Sequence, residues 1–126
     1  MRTYRYFLPL LLVLLMAASS AFAGSKNSDN PFLPGLNQKP DYSLATAQSV
    51  RDAVKISIAD AKASLEKIYA VKKQDRNFEN TMRKLDDTYH KLNTTYALIY
   101  LQANVNSDDS VRIAGSDGSV EMQMFF

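Results

Sequence analysis

The chain holds 126 residues, with 15 Lys and Arg against 13 Asp and Glu, one histidine and no cysteine, which is room for one domain at most. Lacking cysteine, it offers no thiolate zinc site, no redox Cys-x-x-C pair and no disulfide framework. A single histidine also excludes a His-Glu-x-x-His zinc helix, which needs two imidazoles one turn apart, so any catalysis within this chain rests on carboxylates, hydroxyls or lysines.

Arg2 and Arg5 precede an unbroken apolar run over residues 7–18, and Ala21-Phe22-Ala23 follows with small residues at the two positions a signal peptidase reads. This pattern predicts a secretory signal peptide over residues 1–23, cleaved after Ala23. The run is too short for a spanning helix, which needs about 20 apolar residues. No cysteine follows it, which excludes a lipoprotein anchor. Removing residues 1–23 leaves 13 basic and 13 acidic residues in 103. The expected mature chain is therefore electroneutral, secreted (periplasmic if bacterial), free of the membrane after cleavage, and without the basic excess that nucleic-acid binding calls for.

Residues 24–29 are small and polar. Three of the four prolines, Pro31, Pro34 and Pro40, then fall within ten residues, so residues 24–42 should be an extended or turned lead-in in which Phe32, Leu33 and Leu36 anchor to a neighbouring surface. From Leu44 the apolar positions Ala47, Val50, Val54, Ile58, Ala61, Leu65 and Ile68 step by three and four. This spacing predicts an amphipathic helix over about residues 43–70, with Ser43 as N-cap. The charged stretch Lys72, Lys73, Asp75 and Arg76 reads as a solvated interhelix loop.

A second stripe, Phe78, Met82, Leu85, Tyr89, Leu92, Tyr96, Ile99 and Ala103, alternates steps of four and three. It predicts a helix over about residues 77–104, capped by Asn77 and with Glu79 in its first turn. The expected fold is all-α: two long antiparallel amphipathic helices forming a hairpin. At about 1.5 Å per residue each rod is near 40 Å long. Residues 96–105 are apolar around most of the circumference and call for cover on more than one side. The tail allows two readings. Asp108 can cap a short third helix, stopped within a couple of turns by Gly115-Ser116-Asp117-Gly118-Ser119; or Val111–Ile113 and Val120–Met124 pair as a β-hairpin around that turn.

Four elements in order, Asn30-Pro31-Phe32-Leu33, Pro40-Asp41-Tyr42, Phe78-Glu79-Asn80-Thr81 and the run from Ala103 to Asp109 (Ala-Asn-Val-Asn-Ser-Asp-Asp), resemble the N-terminal region of the thimet-oligopeptidase family of zinc peptidases, which includes oligopeptidase A and bacterial peptidyl-dipeptidase. The likeness covers residues 30–112, and Phe78-Glu79-Asn80-Thr81 is its most specific part. It implies a helical starting segment that walls a channel admitting short peptides, with zinc held far downstream by residues that have no counterpart here. The chain departs from the pattern after Arg112, where the family continues in helix. The implied organisation is a signal peptide (1–23), an extended segment (24–42), a helical hairpin (43–112) and a divergent tail (113–126). The expected partner is the missing catalytic part of the peptidase; a free-standing interaction module, pairing through its stripes with another protein or with itself, is the alternative.

No catalytic, cofactor-binding or metal-binding residue is assigned, and zinc belongs only to the family the chain resembles. Asp86 and His90, four apart on one helical face, make two metal ligands at most and read as a polar face. Asp108-Asp109 reads as a cap. Asn93-Thr94-Thr95 matches a glycosylation acceptor but falls mid-helix. Tyr89, Tyr96 and Tyr100 read as packing residues with polar tips.

Overall fold

The computed structural model describes residues 30–35 and 38–126. The expected signal peptide, its cleavage point and Leu36 lie outside the described residues. Among the described residues three helices, α1 (Ala47–Tyr69), α2 (Met82–Val105) and α3 (Asp109–Phe125), pack pairwise against one another, with one-turn 3-10 helices at Tyr42–Leu44 and Lys73–Asp75. No strand occurs among the described residues. The helical class and the α1–α2 hairpin agree with the apolar spacing; in the tail the third helix capped by Asp108 is present and the β-hairpin is not, but that helix does not stop at Gly115–Ser119 and runs from residue 109 to 125. The boundary expected at residue 112 or 113 therefore falls inside α3.

α1 starts four residues later than expected. Asp41 accepts hydrogen bonds from both the N–H and the hydroxyl of Ser43, which commits Ser43 to the 3-10 turn. The N-cap is Thr46, whose hydroxyl accepts from Ser49 N–H at 3.0 Å while Ser49 Oγ accepts from Thr46 N–H at 2.9 Å. This reciprocal capping box satisfies two otherwise orphaned donors.

α2 starts five residues later than expected for a related reason. Asn77 Oδ1 accepts from Asn80 N–H at 3.0 Å and Asn80 Oδ1 from Asn77 N–H at 2.9 Å. Side chains that bond local backbone in this way offer it an alternative to the helical ladder. Asn77 thus caps a separate turn, and Thr81, with φ −122° and ψ −76°, breaks the path before Met82.

α3 is capped by Asp108, which accepts from the N–H and hydroxyl of Ser110, both at 2.7 Å. Its buried residues are Val111, Ala114, Gly115, Gly118, Ser119 and Met122, one face at helical spacing. Each glycine costs about 1 kcal/mol of helix propensity relative to alanine. Val111 and Met122, 1 % and 0 % exposed, offset that with roughly 1.5–3 kcal/mol each on burial. The small residues allow close approach: a Cβ on Gly118 would stand 2.7 Å from Val54 Cγ2, and one on Gly115 would stand 3.0 Å from Ala103 Cβ.

The core gathers Val50, Ala53, Val54 and Ala61 of α1, Leu92 and Ile99 of α2, Val111, Ala114 and Met122 of α3, and Phe32 from the lead-in. Asn30 ties that lead-in to α1 by donating to Ser49 O at 2.8 Å and accepting from Phe32 N–H at 2.9 Å. Phe32 is wholly buried and Leu33 packs beside the core, as the anchor reading requires.

Candidate functional site

Ser57 and Ser64 on α1 stand opposite Thr95 and Thr88 on α2. Ser57 Oγ donates to Thr95 Oγ1 at 3.0 Å, with both residues buried. Ser64 and Thr88 hydroxyls meet at 2.6 Å. Thr88 already donates to Lys84 O at 2.6 Å, so Ser64 is the donor of that pair. These antiparallel ties lie behind an open groove of about 420 Å³, whose rim carries Asp60, Lys67, Lys84, Asp87 and Lys91. Lys84 and Asp87 approach to 3.9 Å. The hydroxyls are engaged with each other, and no imidazole lines the groove to activate them as nucleophiles. The groove offers hydroxyls, lysines and aspartates for polar contact.

On another side of α2, Tyr96 stacks on Tyr100 with ring centroids 5.9 Å apart and accepts a hydrogen bond from Gln123 Nε2 at 2.7 Å. The Phe126 ring meets Tyr89 and Tyr96 edge-on at 5.5 and 6.1 Å. Tyr89, Tyr96 and Tyr100 thus form a packed ladder leaning on the end of α3, with Tyr89 and Tyr100 more than half exposed.

Asp86 and His90 both lie on the exposed surface of α2. Asp108 is the α3 cap, and Asp109 pairs with Arg112. The hydrogen bonds from Ser110 hold the Asp108 carboxyl below its usual value, and those from Ser43 do the same for Asp41. Thr95 of the Asn93-Thr94-Thr95 triplet is buried and bonded to Ser57, inside a helix that presents no extended acceptor. Among the described residues, no three His, Asp or Glu side chains stand together to hold a metal ion. No helix among the described residues is long and apolar enough to cross a membrane.

The spacing of large apolar residues missed the hydroxyl ties and the glycine contacts of α3. A signal was present in the seven-residue separation of Ser57 from Ser64 and of Thr88 from Thr95, which keeps each pair on one face. No protein-family model, curated protein or solved structure matches the chain.

Proposed function

We propose that this chain is the exported N-terminal helical segment of a thimet-oligopeptidase-like zinc peptidase that cleaves short peptides, with the zinc-binding catalytic part lying outside these residues. The observation that carries the reading is α3. The resemblance calls for helix after Arg112, where the residue pattern suggested a break, and α3 continues from Asp109 to Phe125. In this reading the three helices supply a channel wall and a docking surface, and they do no chemistry of their own. Reading the DNA beyond the codon for Phe126 in all frames is the test: a downstream His-Glu-x-x-His within one enzyme's length is expected, and its absence from every frame overturns the proposal.

One observation favours the alternative, a free-standing exported interaction module. The glycine-bearing face of α3 fits between Val50, Val54 and Ile99, so the tail shares one core with α1 and α2. Cooperative unfolding of the purified chain without any partner supports this reading; a broad, non-cooperative melt refutes it.

A further inference from the structure

The α2 stripe is covered along only half its length. Gly115 sits at Ala103, Gly118 near Ile99, and Phe126 at Tyr96 and Tyr89, so α3 runs antiparallel to α2 and its last ring reaches Tyr89. Beyond that point Leu85 and Met82 continue the same line of steps and Phe78 stands in the turn that precedes α2; they are 44, 57 and 63 % exposed. Tyr89 and Phe126, 58 and 52 % exposed, border them. We propose that this open half of the stripe is a self-association face, covered by the same face of a second copy of this chain.

Three features favour a second copy as the occupant. The first is area: taking about 200 Å² for a full-sized side chain, the five residues present roughly 500 Å² on each copy. Two such faces together bury roughly 1,000 Å², about the lower threshold of a specific interface, and each lies near the upper end of patches carried by monomers. The second is pattern. Met82, Leu85 and Tyr89 keep the three-four steps along which helices interlock, with Phe78 in the turn just before α2, and a two-fold contact sets the stripe against itself, covering both copies at once. The third is charge: residues 78–91 contain three acidic and three basic side chains. Glu79 is already paired with Arg83 at 2.6 Å and Lys84 lies 3.9 Å from Asp87, so the copies approach without net repulsion. The open half is also continuous with the α2–α3 contact, where a helix already fills the same line.

Sedimentation equilibrium of the purified chain tests this. The wild type should be dimeric, and Leu85→Glu monomeric with an unchanged helical signal, its self-association weakened about tenfold or more. Ile113→Glu, on the outer face of α3 where Ile113 is 63 % exposed, should stay dimeric. In this cysteine-free chain a Met82→Cys thiol should be alkylated more slowly than a Met124→Cys thiol, and more so as protein concentration rises. A wild type that stays monomeric, a dimer that survives Leu85→Glu, a loss caused equally by Ile113→Glu, or equal thiol rates at all concentrations overturns the proposal. The self-association face rests on the free-standing-module reading, whereas the peptidase reading is tested on the DNA, so failure of the one is distinguishable from failure of the other.

Discussion

Substituting Gly118 by alanine sets two effects against each other. An added methyl raises helix propensity by about 1 kcal/mol, so on an unpacked tail Gly118→Ala would stabilise. Here the new Cβ would lie 2.7 Å from Val54 Cγ2, with Ile99 Cγ2 and Val50 Cγ1 both at 3.7 Å. Val54 is 2 % exposed, and a β-branched side chain in a helix has essentially one rotamer, so it cannot swing aside. Overpacking of this kind costs about 1–3 kcal/mol, which exceeds the propensity gain over most of that range. A net loss of about 1 kcal/mol is expected, read as a lower urea midpoint in far-ultraviolet circular dichroism. Val54→Ala removes the obstructing methyl, so in that background Gly118→Ala should become neutral or stabilising, a coupling of about 1–2 kcal/mol in a double-mutant cycle. A higher midpoint for Gly118→Ala in the wild-type background would mean that α3 does not pack on α1 as described.

Leu92→Ala should cost about 2–5 kcal/mol, because Leu92 is 4 % exposed; Asp87→Ala, on the surface, should cost under about 0.5 kcal/mol, and equal urea shifts for the two would contradict the assigned core. Asp108→Ala should lower stability at pH 7 by removing the α3 cap. Because hydrogen bonds from Ser110 lower the native Asp108 value, that advantage is full well above the usual value of 3.8 and fades as pH falls through the lowered one; a wild-type–mutant gap that widens in acid would refute this. The purified chain should show no chelator-sensitive peptide cleavage, since zinc catalysis generally needs about three protein ligands and an open position; cleavage inhibited by chelators would reveal a site the fold does not suggest.

α1 and the body of α2 were legible because large apolar side chains carry their faces. α3 was not, because much of its buried face is Ala114, Gly115, Gly118 and Ser119, residues that read as a turn in one dimension. The bulk at that contact comes from Val50, Val54 and Ile99 on the other helices, so neither partner shows the match alone. On α2 the buried arc is wider than the stripe. Thr95 and Gln102 are buried, Thr95 against Ser57 of α1, while Tyr96 and Ala103 are half-buried against α3, since the arc lies between two neighbours and not toward one. The apolar girdle of residues 96–105 found part of its cover: Ile99 is buried, while Tyr100, Leu101 and Val105 remain 45–63 % exposed. As for the candidate site, Asp86, His90 and the tyrosines could be located by periodicity. The mutual engagement of the serine and threonine hydroxyls could not, because it depends on which residues of the two helices stand level.

The two hydroxyl ties also act on the states that the chain avoids. Sliding α2 along α1 by a single turn would keep much of the generic apolar contact, yet Ser57 would lose Thr95 and Ser64 would lose Thr88 together. At the buried Ser57–Thr95 pair a hydroxyl left without a partner costs about 1–3 kcal/mol, against about 0.5–1.5 kcal/mol for the pair when formed. Half-buried Ser64 turns to water and Thr88 keeps Lys84 O, so that tie adds less. The ties therefore work like a vernier, adding little to the native fold while making each neighbouring alignment of two rather uniform helices distinctly worse.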